Sequence, residues 1–135
     1  MPYIHIQISG RADTELAARV AASATTLTAE LLGKDPAVTA VAIDFVPAAQ
    51  WFIGGQPLAR GTERSYHWMV SITDETNTKR EKAAYLAAVH RTMRELLGSV
   101  ADHSYVHVAD LRATAYGYAG QTQEHRYQQP DPHAR

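Results

Sequence analysis

The sequence predicts an α+β fold made of two tandem β-α-β units. Alternating apolar patterns, typical of strands, flank a helical pattern twice along the chain. A shift of about 65 residues superimposes the second half on the first, which indicates an internal duplication. With 135 residues, of which 45% are hydrophobic and 20% charged, the chain can bury one substantial core.

The composition limits the classes of partner and the location. A net charge of −1 gives no electrostatic reason to expect a nucleic acid or an anionic membrane as partner. The chain has no cysteine, which excludes a disulfide framework and thiolate chemistry. No apolar run is long enough for a signal peptide or a membrane span, so we expect a cytoplasmic protein.

The first ten residues predict a strand that begins at a reactive position. Ile4, Ile6 and Ile8 alternate with polar or aromatic residues, which is the period of a half-buried strand. Removal of Met1 would make Pro2 the amino terminus, a secondary amine that is a base and nucleophile no side chain supplies. The alternative is that proline is merely tolerated there, because the first residue of a strand need not donate a hydrogen bond.

The first unit continues with a helix and a second strand. Asp13 is expected to cap a helix that ends at Gly33. A second strand is expected at 41–45, followed by an aromatic turn at 47–55 and a linker at 56–65. The apolar face of the helix consists of Leu16, Val20, Ala24, Leu27 and Leu31.

The second unit repeats this order. A strand is expected at 66–72, and Thr78 with Glu81 forms a capping box that opens a helix ending at Gly98. The last strand is expected at 105–111. The apolar face of this helix consists of Tyr85, Val89, Met93 and Leu96.

We expect a single domain over 1–120, with units at 2–55 and 66–120, followed by a polar tail at 121–135. The two units agree where a residue would pack, in the pairs Gly33 with Gly98, Val41 with Val106 and Trp51 with Tyr116. They differ in the pairs Pro2 with Tyr66, Lys34 with Ser99, Ala40 with Tyr105 and Ala42 with His107. These differences indicate that one unit supplies the amine and the other the polar groups, unless they reflect random drift.

In this order and spacing, the motifs resemble the tautomerase superfamily, whose members use an amino-terminal proline on a β-α-β scaffold. The resemblance covers the chain to about Gly120. Its motifs are Met-Pro before an alternating strand, Gly33-Lys34, PAAQWFIGG at 47–55 and YVHVADL at 105–111. It implies a four-stranded mixed sheet of strand order 2-1-3-4 with two helices on one face. It also implies a fused, two-unit member that associates as a homotrimer.

The resemblance implies roles for four residues. Pro2 matches the catalytic base of the family. Lys34 and Tyr105 match a pocket lysine and an active-site tyrosine of the branch that resembles macrophage migration inhibitory factor. His107 falls where that branch has a pocket asparagine and where the cis-3-chloroacrylic acid dehalogenase branch has a tyrosine.

The resemblance also implies an aromatic wall at Trp51 and Phe52. Arg11 lies one residue short of an arginine with which short 4-oxalocrotonate tautomerases hold a carboxylate. Their second arginine falls on Ala42. The water-activating glutamate of the cis-dehalogenase falls on Ala115, which disfavours hydrolytic dehalogenation.

Keto-enol tautomerisation also follows from the chemistry of these residues. It needs a base that is neutral near pH 7, and an α-amine has a pKa of about 8, which desolvation by aromatic walls or the cation of Lys34 would lower. Lys34, Tyr105 and His107 would donate to the developing dienolate oxygen and hold a carboxylate. We therefore expect a tautomerase that acts on small 2-oxo or 2-hydroxy (di)enoate acids and needs no cofactor.

Each of these residues also has a structural explanation. Lys34 follows a helix end, where it could complement the helix dipole. Tyr105 and His107 could pack or contact another subunit. Several strand residues that lie off the aliphatic faces could suggest a metal site: His5, Gln7, Asp44, His67 and His107. No pair of them has the spacing of a known ligand motif, so we expect a subunit interface and no metal.

Two other functions are compatible with the sequence. The same element order is compatible with a ferredoxin-like sandwich, a cofactor-free oxygenase or ligand-binding module with histidines in its cleft. Its strand order would be 4-1-3-2, which separates it from the tautomerase order. The second alternative is a non-enzymatic trimeric signalling or scaffold protein that retains the proline incidentally.

Overall fold

The computed structural model describes residues 2–129, and it is organised around four long strands and two long helices. The first unit contains β1 (Tyr3–Ser9), α1 (Thr14–Leu32), β2 (Ala40–Val46), β3 (Phe52–Ile53) and β4 (Gln56–Pro57). The second unit contains β5 (Tyr66–Thr73), α2 (Lys79–Leu97), β6 (Tyr105–Leu111), β7 (Gly117–Tyr118), β8 (Gln121–Thr122) and α3 (Gln123–Gln128). Within residues 2–129, no helix is long and apolar enough to cross a membrane.

The long strands form one mixed sheet in the order β2-β1-β5-β6. The pairs β1 with β2 and β5 with β6 are parallel, and the central pair β1 with β5 is antiparallel. Numbered among the four long strands, this is the order 2-1-3-4, and the predicted fold is confirmed. The order excludes the ferredoxin-like sandwich.

The strand register gives the sheet two distinct ends. Tyr3 lies beside Ala40 and Ser71, and Thr73 lies beside Leu111. We call this the proline end, because β1 begins there, directly after Pro2. At the opposite end β1 and β2 finish and β5 and β6 begin.

The core lies between the sheet and the two long helices. Alternate residues of the two central strands are fully buried against helix residues, as the period of two predicts. The hydroxyl of Tyr85 accepts a hydrogen bond from Trp68 Nε1 at 3.0 Å and bonds Thr28 Oγ1 at 2.9 Å. These bonds satisfy the buried polar atoms of three elements and fix how the helices pack on the sheet.

The ends of the helices follow the capping signals of the sequence. Asp13 accepts a hydrogen bond from the Leu16 backbone N–H at 3.1 Å, and Thr78 with Glu81 forms the predicted capping box. Gly33 takes the left-handed conformation, with φ of 69°, which ends α1 at the proline end. The residue that follows Gly33 is therefore placed at that end by the backbone.

Two segments differ from the sequence-based expectation in detail. The linker expected at 56–65 begins with β4, which pairs with β3, and continues as a short 3₁₀ turn at Leu58–Arg60. The polar tail expected at 121–135 begins with β8 and α3, and residues 130–135, like Met1, lie outside the described residues. Strands of two residues are too short to show a periodicity in the sequence.

Candidate active site

Pro2 opens the central strand from a buried position. Its carbonyl accepts a hydrogen bond from the Ala40 backbone N–H at 3.2 Å, which continues the pairing of β1 with β2. Pro2 has the same strand parity as Ile4, Ile6 and Ile8, so it belongs to the row of residues on the helix side of the sheet. A terminal amine at this position would be held rigidly by the sheet.

Lys34 lies at the same end of the sheet as Pro2. The left-handed turn at Gly33 directs the chain there, and Lys34 Nζ donates a hydrogen bond to Thr76 Oγ1 at 2.9 Å. Desolvation lowers the pKa of the Lys34 amine, and the negative charges of Glu81 and Asp110 partly oppose this. Lys34 is therefore a partly dehydrated cation, the kind of donor that can bind an oxyanion strongly.

The two carboxylates near Lys34 are held by other donors. Asp110 accepts a hydrogen bond from Lys82 Nζ at 2.6 Å, and Glu81 accepts one from the Thr78 backbone N–H at 2.8 Å. The ammonium group of Lys34 carries three N–H donors, of which the bond to Thr76 uses one. The geometry thus leaves donors of Lys34 available to a ligand.

Three of the other predicted site residues lie together at the opposite end of the sheet. Trp51, Phe52 and Tyr105 line a shallow cleft of about 360 Å³, and Phe52 and Tyr105 are each 58% exposed. The register sets Tyr105 level with Gln7, about 17 Å along the sheet from Pro2 and about 10 Å across it. One chain therefore does not bring these aromatic residues to Pro2.

His107 lies on the open face of the sheet, the face that the helices do not cover. Its Nδ1 atom is 2.9 Å from His67 Nε2, and its ring stacks on Tyr105. On the same face, His5 Nε2 is 2.7 Å from Asp44 Oδ2. Desolvation, together with the charges of His107 and His5, lowers the pKa of His67. Within residues 2–129, no group of three or more His, Asp or Glu side chains is positioned to hold a metal ion.

Arg11 is also remote from Pro2 within the chain. It follows β1 at the opposite end, where it lines a cleft of about 700 Å³ together with Gly10, Asp13 and Arg64. Arg64 is fixed there by two hydrogen bonds to the Ser9 carbonyl, at 3.0 and 2.8 Å. The structure therefore separates Arg11 from Lys34 and Pro2.

Tyr116 is a residue of the proline end that the sequence-based site did not include. Its hydroxyl hydrogen bonds to Oγ1 of Thr73, the last residue of β5, and burial raises the pKa of the phenol. The signal was present in the repeat, which aligns Tyr116 with Trp51. The two units run in opposite directions, because β1 and β5 are antiparallel. The segment after β6, which contains Tyr116, therefore lies at the proline end, and the segment after β2, which contains Trp51, lies at the opposite end.

Comparisons with known proteins agree with this architecture. A family model described as tautomerase enzyme matches residues 2–60. A search of curated proteins found no significant match. Among solved structures, native fused 4-OT is similar with a TM-score of 0.78 and 24% sequence identity, covering 90% of this chain and 96% of that chain.

Two further solved structures have the same fold. A fused 4-OT solved as an asymmetric trimer has a TM-score of 0.75 and 20% identity, covering 90% of this chain and 96% of its own. A macrophage migration inhibitory factor-like protein from Entamoeba histolytica has a TM-score of 0.73 and 15% identity, covering 90% of this chain and 97% of its own. Residues 2–60 thus match the sequence model of the tautomerase family, and the two units together have the fold of the fused 4-OT structures, which confirms the resemblance predicted from the motifs.

Proposed function

We propose that the protein is a keto-enol tautomerase of small 2-oxo or 2-hydroxy (di)enoate acids, with Pro2 as its general base. The observation that carries the proposal is the burial of Pro2 at the start of a central strand, with the partly dehydrated Lys34 amine at the same end of the sheet. A tautomerase needs a rigid base and a nearby donor for the oxygen that becomes negatively charged. Membership of the tautomerase fold supports the same reaction class.

In the proposed reaction, Pro2 moves one proton along the substrate. Once Met1 is removed, the neutral amine takes a proton from the carbon beside the carbonyl, and the electron pair of that C–H bond moves onto the carbonyl oxygen. Lys34 donates a hydrogen bond to that oxygen or to the adjacent carboxylate. The protonated Pro2 then returns the proton to another atom of the enolate, which restores the base.

The proposed mechanism needs the Pro2 amine in its neutral form. A free α-amine has a pKa of about 8. Burial and a positive charge at Lys34 would both disfavour protonation of the Pro2 amine, as the proposed role as a base near pH 7 requires. A base with a pKa near working pH can both accept and return a proton, which a tautomerase requires.

We propose that a neighbouring copy of the chain completes the site. Tyr105 and Phe52 are exposed at the opposite end of the sheet, where they line one cleft with the half-buried Trp51, and the helices leave the open face uncovered. The trimeric fused 4-OT of the same fold supports a homotrimer. In such an assembly the opposite end of one chain, including Arg11, and the open-face His107 would approach Pro2 of the next.

The first experiment tests the reaction and its base. Phenylpyruvate and 2-hydroxymuconate-type enols would be screened with the intact protein and with Pro2→Ala, and ketonisation would be followed by ultraviolet absorbance. We expect turnover of at least one substrate class by the intact protein and its loss in Pro2→Ala. Equal turnover by the two proteins would refute Pro2 as the base. Absence of turnover with every enol would favour the non-enzymatic trimer.

The second experiment tests the shared site by mixing two inactive chains. Pro2→Ala and Tyr105→Ala would be unfolded together in equal amounts and refolded. If Pro2 and Tyr105 of one site come from different chains, about a quarter of the sites in random trimers regain both residues. If both come from one chain, no site is restored and activity stays at the level of the separate variants.

A further inference from the structure

We infer that the Tyr116 hydroxyl is a second hydrogen-bond donor of the Pro2 site and binds a substrate oxygen. This inference rests on the proposed function, and it assigns a specificity-determining residue to that site. It starts from the position of Tyr116, which the internal repeat pairs with Trp51 but which lies at the other end of the sheet.

The position of Tyr116 follows from its contact with β5. The central strands are antiparallel, and Ser71 of β5 lies beside Tyr3 of β1. By the same register Ile72 is level with Pro2, one strand spacing or about 5 Å across the sheet, and Thr73 lies one residue further along β5, just beyond Pro2. The Tyr116 hydroxyl hydrogen bonds to Thr73 Oγ1, which places the phenol at the proline end of the sheet.

A series of hydrogen bonds connects Tyr116 to Lys34. Lys34 Nζ donates to Thr76 Oγ1 at 2.9 Å, and Thr76 Oγ1 donates to the Thr73 carbonyl at 2.6 Å. Thr73 then bonds Tyr116 through its own hydroxyl. Lys34 and Tyr116 are thus the two ends of one network at the end of the sheet that holds Pro2, so a ligand beside Pro2 can meet both.

Lys34 and Tyr116 offer complementary kinds of hydrogen-bond donor. Burial raises the pKa of Tyr116, so the phenol stays protonated and remains a donor throughout the neutral range. The Thr73 hydroxyl can donate as well as accept, so Tyr116 can turn its proton to a ligand and still accept from Thr73. Lys34 provides one positive charge and Tyr116 provides an uncharged donor. This pair suits a 2-oxo acid with a single carboxylate, such as phenylpyruvate.

The test compares three variants by steady-state kinetics on phenylpyruvate. Tyr116→Phe keeps the ring and removes the donor, and we expect kcat/KM to fall by about 100-fold, mostly in kcat, as for a lost oxyanion donor. Thr73→Val removes the partner hydroxyl, and we expect a much smaller loss. Tyr118→Phe removes a hydroxyl from the same segment, and we expect no change. Thermal unfolding of each variant would verify that it is folded.

A merely structural Tyr116 would give a different pattern. If the hydroxyl serves only to anchor the segment to β5, Tyr116→Phe and Thr73→Val break the same bond and lower kcat/KM equally. Equal losses, or an unchanged kcat in Tyr116→Phe, would overturn the inference while leaving Pro2 as the base.

A covalent probe separates failure of this inference from failure of the proposed function. In 2-oxo-3-pentynoate the alkyne is conjugated to the 2-oxo group. The Pro2 nitrogen would form a bond to the distal alkyne carbon, one alkyne π bond would break, and the neighbouring carbon would take up a proton. Intact mass and peptide mapping locate the adduct. We expect labelling of Pro2 that is slower in Tyr116→Phe. An unlabelled native chain would refute the reactive amine, and the Tyr116 inference with it, whereas equal labelling rates would refute Tyr116 alone.

Discussion

Lys34→Met removes the cation that donates a hydrogen bond to Thr76 at the proline end and keeps a side chain of similar length. Lys34 is partly dehydrated, and its carboxylate neighbours are held by other donors, so its loss would leave the enolate oxygen without that charge. Loss of one such donor costs about 10²- to 10³-fold in kcat, or roughly 2.7–4 kcal/mol. The stability cost is small, because the broken hydrogen bond to Thr76 is exposed and contributes about 0.5–1.5 kcal/mol.

The assay is steady-state kinetics on the best enol substrate, with thermal unfolding of the same samples. Lys79→Met is the matched control, because Lys79 is an exposed residue at the start of α2, also at the proline end. We expect Lys34→Met to lose activity and Lys79→Met to retain it. Lysine carries its charge below its pKa, and the pKa of Lys34 is lowered from 10.5, so Lys34-dependent activity should fall as pH rises, before an ordinary lysine would titrate. Equal kcat/KM in the two variants would refute the role of Lys34.

The remaining predictions concern stability. Tyr85→Phe leaves the buried Trp68 N–H and Thr28 hydroxyl without their shared partner, and chemical denaturation should show a loss of about 1–3 kcal/mol; a loss below 0.5 kcal/mol, on the scale of a surface substitution, would show that water or another group replaces the bond. Gly33→Ala forces a left-handed conformation on a residue with a Cβ atom, and should cost about 1 kcal/mol; an unchanged midpoint would contradict it. The lowered pKa of His67 means that the unfolded chain takes up a proton first as pH falls below 6.5, so stability should decrease there, and less in His67→Gln; identical pH profiles for the two proteins would contradict it.

The fold could be predicted from the sequence because its determinants are local. The alternation of Ile4, Ile6 and Ile8 specified which face of β1 is buried, and the capping residues specified where the helices begin and end. The order of the strands needed the family resemblance, because the apolar pattern alone is shared with the ferredoxin-like sandwich.

The site could be predicted only in part, because its geometry depends on contacts between distant segments. Pro2 and Lys34 lie at one end of the sheet, as a site containing both requires. Trp51 and Phe52 lie at the other end, and the residue that crosses the proline end is Tyr116. Sequence spacing alone does not tell at which end of the sheet the segment after a strand lies. That depends on the antiparallel arrangement of the two units, which the structure provides.

The Pro2 amine is the central claim, and it is tested most directly by comparing turnover with the state of the amino terminus in the same sample. Intact mass spectrometry gives the fraction of chains that lack Met1, and the enol assay gives the rate. In chains that retain Met1, the Pro2 nitrogen is part of a peptide bond and is not basic. We predict that activity is proportional to the fraction lacking Met1 and vanishes when every chain retains it. Full activity in a sample that consists entirely of Met1-bearing chains would contradict the mechanism.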